Sequence, residues 1–400
     1  MRVPFFRPSF SKGDVQALAE VLDSGHLTAG PRCVEFEAAF AECLGVRHAV
    51  STNSGTAALQ LALAAIHIQP GEIVFVPTMA FASDVEAVES LGGTPILVDC
   101  EARTLCMDVE KLRQTIAVLL SDNSIASRGL FRGRLRAVLV VDYAGQMADY
   151  GALREVCRDH DLLLIEDAAH ALPAGWRSGP GGQWQSPGNV ADLACFSFYA
   201  NKPITTGEGG MVVTNDDRWA ADMRTMRYHG FEPMCSEPRE ANWKRQVVSR
   251  GFKNNLSDLE AALGLRQLSR VHESARARQA IADGYTARLN SCPFIELPQE
   301  QPDRRHAWHI YAIRLTGPGR AGHRDAIMEA LYHQGIETSV HWYPLHLHKY
   351  HQHRLRRVLD FPVAEDVYPR LISLPVFPAM TEEQVEAVSE ALLALDLASS

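Results

Sequence analysis

From about residue 45 onward, short runs of β-branched and leucine residues alternate with segments in which apolar residues recur every three or four positions. The runs are typical of buried strands, and the periodic segments are typical of helices packed on one side. Strands are predicted at 48–52, 72–78, 94–100, 136–143, 161–169, 193–199 and 210–216. Helices are predicted at 55–66, 83–93, 107–119 and 149–161. The alternation predicts a large α/β domain with a mainly parallel sheet.

The pattern changes in the last third of the chain. Residues 256–290 keep a helical period throughout, which predicts one long helix joining two domains. A strand and two helices are predicted after it, at 306–315, 324–335 and 381–396. We therefore expect a large domain with an N-terminal arm over 1–265 and a small C-terminal α+β domain over 266–400, since a single core stops growing at roughly 250–300 residues.

The composition is that of a globular, enzyme-sized protein, with 46% hydrophobic and 22% charged residues in 400. The formal charge of −9 argues against nucleic acid or an anionic membrane as the main partner, although it leaves room for a local phosphate pocket. No apolar stretch approaches the ~20 residues that span a bilayer. Eight scattered cysteines without a CxxC pair indicate buried thiols in a reducing compartment, so a cytoplasmic protein is predicted.

A predicted strand runs directly into a helix at STNSGTAALQLAL (51–63). Free N–H groups at a helix start suit a phosphate, and Ser54, Gly55 and Thr56 add hydroxyls and room for close approach. A capped helix that binds nothing explains the same residues. This segment alone leaves both interpretations open.

Two further groups stand at predicted strand ends. Asp167 and His170 follow the strand in LLLIEDAAH, at the edge where open parallel sheets bind ligands. Lys202 follows the strand in CFSFYANKP, where partial burial would lower its pKa and make the amine a nucleophile. A phosphate site, a carboxylate and an amine are the three attachments that pyridoxal 5′-phosphate (PLP) requires.

These segments resemble the DegT/StrS family of PLP-dependent, fold-type I nucleotide-sugar aminotransferases, especially in FSFYANKPITTGEGG and GFKNNLSDLEAALGLRQL. The resemblance implies that Lys202 forms the Schiff base and then moves the proton during transfer. It implies that Asp167 pairs with the pyridine nitrogen, that His170 lies beside the ring oxygen, and that Phe81 stacks on the ring. Pyridoxamine 5′-phosphate would be the form of the cofactor that carries the amino group.

The resemblance also implies the phosphate contacts and the assembly. Gly55, Thr56 and Ser197 match phosphate-binding positions of the family, with the Ser54 hydroxyl beside them. Asn255 matches an asparagine that reaches the phosphate from the neighbouring subunit. A homodimer with shared active sites is therefore expected.

Histidines are dense in VHWYPLHLHKYHQH, and such clusters can bind metal. Similar segments line the entrance for the sugar nucleotide in the family, so we assign His341 and Tyr343 to substrate binding and expect no metal. Asp142 stands where many relatives carry histidine. The segments 121–134, 176–189 and 231–250 are longer than is usual in the family. These departures leave the acceptor open, because binding residues concentrate on loops.

The leading hypothesis is an aminotransferase that moves an amino group from L-glutamate to a keto group of a nucleotide-diphosphate-linked sugar, for an antibiotic, another natural product or a surface polysaccharide. The alternative acceptor is a free cyclitol ketone or another keto compound. A PLP-dependent sugar dehydratase is disfavoured, because such relatives replace the Schiff-base lysine, here Lys202, with histidine. A non-catalytic binding protein is disfavoured because Lys202, Asp167 and the phosphate-binding segment are all present.

Overall fold

The apolar runs of the sequence form the strands of a central sheet. The structure is a computed structural model that describes residues 1–121, 133–232, 245–317, 323–352 and 360–395. The residues outside these ranges include most of segment 121–134, more than half of segment 231–250, Cys235, His353 and residue 396 of the predicted closing helix. The strands are β1 (His48–Thr52), β2 (Ile73–Pro77), β3 (Thr94–Val98), β4 (Leu135–Val141), β5 (Leu163–Asp167), β6 (Gly175–Trp176), β7 (Leu193–Ser197), β8 (Gly210–Thr214), β9 (Ile295–Glu296), β10 (Arg304–Arg305), β11 (Tyr311–Leu315) and β12 (Leu371–Leu374).

The large sheet has the order β3-β2-β4-β5-β7-β8-β1 in the described part of the chain. β3, β2, β4, β5 and β7 run parallel, and β8 is antiparallel to both of its neighbours. The parallel arrangement brings the carboxyl ends of β4, β5 and β7 to one edge. The predicted mainly parallel, mixed sheet is confirmed, and all seven predicted strands belong to it.

Helices cover the sheet and build the rest of the molecule. They are α1 (Lys12–Ser24), α2 (Pro31–Leu44), α3 (Gly55–Ala65), α4 (Ala82–Ser90), α5 (Val109–Ser121), α6 (Tyr150–Asp159), α7 (Asp217–Met226), α8 (Asp258–Leu268), α9 (Val271–Leu289), α10 (Arg324–His333), α11 (Pro362–Val367) and α12 (Glu382–Ala394). The sequence interpretation omitted α1, α2, α7 and α11. A start signal for α1 was present, because Ser11 and Asp14 form a capping box.

The prediction of one long helix over 256–290 was wrong. The chain forms α8 and α9, which are separated at Ser269 and Arg270. The Ser269 hydroxyl donates to the Arg266 carbonyl at 2.8 Å, and the Arg270 guanidinium donates to both carboxylate oxygens of Asp14 at 3.0 and 2.8 Å. Because this partner lies on α1, far away in sequence, the helical period alone could not locate the break.

Two buried apolar clusters are present among the described residues. The larger surrounds the seven-stranded sheet. The smaller surrounds the antiparallel sheet β12-β11-β9 with α9 and α12, and it includes Tyr285, Tyr311 and Leu392. Val3 belongs to this smaller cluster and bridges to Ile336, so the start of the chain packs against C-terminal elements. The domain boundary at 265/266 stays a prediction.

Segment 176–189 is anchored at its start and near Trp184 and Gln185. The strand β6 pairs with β10, and Trp176 also bridges to Gln185 across the loop. The guanidinium groups of Arg177 and Arg305 lie 4.7 and 4.1 Å from the Trp184 ring centroid, a cation–π geometry. These contacts fix the loop against β10.

Two sequence expectations concern membrane-spanning segments and the state of the cysteines. No helix in the described residues has the length and apolar character needed to cross a membrane. The seven cysteines that the structure describes are all free thiols.

Candidate active site

A cavity of about 450 Å³ opens at the carboxyl edge of the large sheet. It is bounded by the start of α3, the ends of β5 and β7, and residues 341–342. The predicted site residues that line it are Ser54, Gly55, Thr56, Phe81, Asp167, His170, Ser197, Lys202 and His341. Side chains from widely separated parts of the sequence therefore converge on one space of cofactor size.

Asn255 and Tyr343 do not line this cavity. The Asn255 amide donates to Thr28 Oγ1 at 3.4 Å and to the Leu256 carbonyl at 3.3 Å, and its oxygen accepts from Lys253. The Tyr343 hydroxyl donates to the Leu347 carbonyl at 3.3 Å, and its ring is 43% exposed. Since the family resemblance places Asn255 in the neighbouring subunit's site, its position within one chain leaves that assignment a prediction.

The start of α3 forms the phosphate-sized end of the cavity. The Ser54 hydroxyl accepts the Ala57 N–H at 3.1 Å and so caps the helix. Gly55 and Thr56 are the first helical residues, whose N–H groups have no carbonyl one turn earlier within the helix. A Cβ on Gly55 would lie 2.7 Å from the Ser197 Cβ, so only glycine lets β7 approach this closely.

Replacing Gly55 with alanine is expected to lower PLP affinity by about tenfold or more, because the added methyl group displaces either α3 or Ser197. Gly151→Ala is the matched control, because its Cβ near the start of α6 would meet nothing closer than 3.5 Å. Fluorescence titration of the two apoproteins with PLP measures the difference. Equal affinities would remove Gly55 from the proposed phosphate site.

Asp167 lies at the end of β5, where its Oδ1 accepts the Ala169 N–H at 2.9 Å. Burial raises the pKa of this carboxyl, while the Ala169 N–H and the Lys202 ammonium act to lower it. His170 is buried, and desolvation with the nearby Lys202 charge holds its pKa well below the usual value. It is therefore a neutral imidazole at neutral pH.

Lys202 follows β7, and its backbone N–H donates to the Tyr199 carbonyl at 3.0 Å. Burial lowers the pKa of its amine to about 8, although the negative charge on the neighbouring pair of carboxyls, Asp167 and Asp84, opposes the shift. A measurable fraction of the amine is thus uncharged near neutral pH, which is the form that attacks an aldehyde.

The rate at which apoprotein recombines with PLP should rise with pH and level off above about 8, following the neutral amine of Lys202. The direction follows from burial, which disfavours the ammonium and so makes the nucleophile available at lower pH than for an ordinary lysine. Stopped-flow absorbance over roughly pH 6 to 10 measures this profile. A rate that keeps rising to pH 10 would contradict it.

An aromatic wall faces the strand ends. The Phe81 ring is 55% exposed, and its centroid lies 5.3 Å from that of Trp342. Trp342 also stacks with His170 at 5.8 Å and contacts His341 edge-on at 4.5 Å. Phe81 is thus placed at the mouth of the cavity, and its stacking on a cofactor ring stays a prediction.

The sequence interpretation missed several residues of this site. Trp342 lies beside the predicted His341, and His309 contacts His170 with ring centroids 4.5 Å apart. Asp84 is fully buried near Asp167 and Lys202. Nothing in ASDVEAVES distinguishes it from an exposed acid in the first turn of a helix.

The histidine-rich segment does not gather around one point. His341 Nδ1 bonds with the Ser373 hydroxyl at 2.9 Å, whereas His346 Nδ1 bonds with Thr78 at 2.6 Å and its ring stacks on Phe361. Within the described ranges, no group of three or more His, Cys, Asp or Glu side chains is arranged to hold a metal ion.

The residues present fit PLP. The α3 start offers N–H groups to a phosphate, Asp167 offers a carboxylate to a ring nitrogen, and Lys202 offers an amine to an aldehyde. The buried His170 Nδ1 has no hydrogen-bond partner among the described residues, which suits a group that faces a ligand.

Comparison with known proteins gives consistent matches over nearly the whole chain. The DegT/DnrJ/EryC1/StrS aminotransferase family matches residues 8–393. The spore coat polysaccharide biosynthesis protein SpsC of Bacillus subtilis is 35% identical over 394 residues, which cover 98% of this chain and 96% of SpsC.

Solved structures of similar proteins also match this chain over nearly its whole length. PseC of Helicobacter pylori, an aminotransferase involved in the biosynthesis of pseudoaminic acid, is 28% identical with a TM-score of 0.86, covering 98% of both chains. NtdA of Bacillus subtilis, solved with bound cofactor PMP (pyridoxamine 5′-phosphate), is 27% identical with a TM-score of 0.81, covering 98% of this chain and 84% of NtdA.

Proposed function

Since the chain belongs to the DegT/DnrJ/EryC1/StrS aminotransferase family, we propose that it transfers an amino group from L-glutamate to a keto group of a nucleotide-diphosphate-linked sugar. The protein is a PLP-dependent aminotransferase of fold type I. The observation that carries the proposal is the convergence of Lys202, Asp167 and the start of α3 on one cavity.

When bound, PLP supplies an aldehyde that accepts an amino group and a ring that withdraws electrons from the reacting carbon. In the proposed mechanism, the Gly55 and Thr56 N–H groups and the Ser197 hydroxyl bind the phosphate. The Asp167 carboxylate accepts the ring N–H, and the buried, neutral His170 borders the ring. These contacts orient the ring before any proton moves.

Lys202 has two successive tasks in this mechanism. With PLP bound, its amine would hold the cofactor's aldehyde until the amino donor takes that place. The released Nζ would then serve as the base that removes the proton from the donor's α-carbon and as the acid that gives this proton up again. A pKa of about 8, lowered by burial, suits both directions of this transfer near neutral pH.

The proposed acceptor is supported by what the relatives are named for. PseC is an aminotransferase of pseudoaminic acid biosynthesis, and SpsC is a protein of spore coat polysaccharide biosynthesis. The aromatic wall of Phe81 and Trp342 gives a sugar ring an apolar face at the cavity mouth. We also propose that the product is built into a surface polysaccharide or a natural product such as an antibiotic.

The two half-reactions test this proposal separately. L-Glutamate added to the holoenzyme should convert the absorption of the lysine-bound form to that of the amine form, whereas a panel of other amino acids should do so more slowly. Amino sugar nucleotides with 2-oxoglutarate, and free aminocyclitols with 2-oxoglutarate, then compare acceptor classes in reverse. Turnover confined to free aminocyclitols would replace the nucleotide sugar with a free cyclitol ketone as the acceptor.

A sugar dehydratase and a non-catalytic binding protein would each give a distinct outcome in the same assay. A dehydratase would release a deoxygenated keto sugar and transfer no nitrogen, which mass spectrometry of the products detects. A binding protein would take up ligand without changing the cofactor absorption. Lys202 lines the cavity, which favours amino transfer over dehydration and over binding alone.

We propose that the enzyme works as a homodimer in which Asn255 completes the phosphate site of the partner. Mixed dimers test this sharing of residues. Lys202→Ala and Asn255→Ala proteins, each impaired alone, should regain activity when unfolded together and refolded, since a mixed dimer then contains one site with both native residues. Absence of any regain, or a monomer in light scattering, would contradict the arrangement.

A cytoplasmic location is also proposed. It is supported by the free thiols of the seven described cysteines, since oxidising compartments promote disulfides. Cell fractionation with activity measurement tests it.

A further inference from the structure

Asp84 is an acidic residue in the first turn of α4, and its side chain is fully buried at 0% exposure. Negatively charged side chains at this position interact favourably with the helix dipole, and they normally remain in contact with water. Two other first-turn acids are buried as well, but each has partners: Asp14 in α1 pairs with Arg270, and Asp258 in α8 accepts the Gly30 and Cys33 N–H groups. The helix start therefore does not account for the burial of Asp84.

The groups that face Asp84 are few. Its carboxyl contacts that of Asp167 on β5, and the Lys202 ammonium is the cation near both. The Phe81 N–H at the start of α4 has a smaller effect on Asp84. Burial, and then the same carboxyls, raise the pKa of the Cys195 thiol on β7, so this thiol is neutral. Neither oxygen of Asp84 accepts a well-formed hydrogen bond from an N–H or O–H group of the described residues.

Two buried carboxyls in contact cannot both be ionised at neutral pH without a large electrostatic cost. A hydrogen bond between them requires a proton on one. Asp167 already accepts the Ala169 N–H at 2.9 Å, which stabilises its charged form. Burial, and then the charge of Asp167, raise the pKa of Asp84 well above its usual value, so the proton resides on Asp84.

We propose that Asp84 is a positioning residue that remains protonated and donates its O–H to the Asp167 carboxylate. The donated hydrogen bond keeps Asp167 ionised and turned toward the cavity. Asp167 can then hold the ring nitrogen of PLP in its protonated form. The inference rests on the proposed role of Asp167 and adds a second residue behind it, which touches neither cofactor nor substrate.

Two substitutions distinguish a neutral Asp84 that donates a hydrogen bond from an ionised Asp84. Asp84→Asn keeps the shape and an N–H donor for Asp167, whereas Asp84→Leu keeps a similar shape and removes the donor. The probe is PLP labelled with ¹⁵N in its ring, whose nitrogen resonance reports protonation in the reconstituted protein. Wild type and Asp84→Asn should match, while in Asp84→Leu the pH of half protonation should fall by about one pH unit or more.

Two results would overturn the inference, and a control variant detects a loss of stability. If Asp84 were ionised, Asp84→Asn would shift the titration as much as Asp84→Leu does. If Asp84 had no influence, both variants would match wild type. Asp14→Asn is the stability control, because Asp14 is also a buried first-turn acid and pairs with Arg270. This substitution should leave the ring nitrogen resonance unchanged.

Two safeguards keep the outcome interpretable. If Asp84→Leu does not fold, Asp84→Ala takes its place, because it also removes the donor and adds no bulk. If wild-type protein binds no PLP or does not react with any amino donor, the proposed function fails. If the wild-type protein reacts but the titration of the ring nitrogen does not depend on a donor at residue 84, only the present inference fails.

Discussion

Lys202→Ala protein is expected to bind PLP but to lose at least about a thousandfold in amino transfer. The phosphate contacts at Gly55 and Thr56 and the carboxylate of Asp167 remain, so the cofactor keeps most of its non-covalent contacts. What disappears is the only lysine amine that lines the cavity among the described residues. Without it there is no covalent attachment and no base at the reacting carbon.

The measurements for this variant are direct. Wild-type holoprotein should absorb as a protonated Schiff base, and borohydride followed by peptide mapping should place the cofactor on Lys202. The variant should show the spectrum of free aldehyde and no half-reaction with glutamate. The exposed Lys12→Ala protein serves as the control and should behave as wild type. Turnover retained by Lys202→Ala would refute the assigned role.

The second large effect is expected for Asp167→Asn, which should lower kcat by about a hundredfold or more. An amide is uncharged and cannot stabilise a protonated ring nitrogen, so the ring withdraws electrons less strongly. The loss should fall on kcat more than on PLP affinity, because the phosphate and lysine attachments are untouched.

Steady-state kinetics together with the ring ¹⁵N resonance check this expectation. Asp161→Asn is the matched control, since Asp161 is an exposed acid that pairs with Arg134 at 2.8 Å outside the cavity lining. A variant with unchanged kcat, or with a ring nitrogen as protonated as in wild type, would show that Asp167 does not serve this purpose.

The sheet was predictable because its strands are short, almost wholly apolar runs, and such runs are stable only when both faces are covered. β2 is buried at every position, and β4 is buried over its last five residues. The positions of Lys202 and Asp167 followed from the same pattern, because residues just after parallel strands meet at one edge. Predicting the positions of these two residues required only that the ends of β5 and β7 be predicted correctly.

Several features depend on contacts that the local pattern does not contain. The break between α8 and α9 involves an ion pair from Arg270 to Asp14 on α1, more than half the chain away. The burial of Asp84 depends on how α4 packs against α3, β2 and β3. Asn255 and Tyr343 were assigned by resemblance alone, and a single chain does not bring them to the cavity.

The bridge between Val3 and Ile336 bears on how this protein is made. Val3 is synthesised more than three hundred residues before its partner Ile336. The large sheet can assemble in the meantime, whereas the cluster around Tyr285 and Tyr311 is complete only once Ile336 and the elements after it have been made. A segment that is made early therefore helps to complete a part of the molecule that folds late.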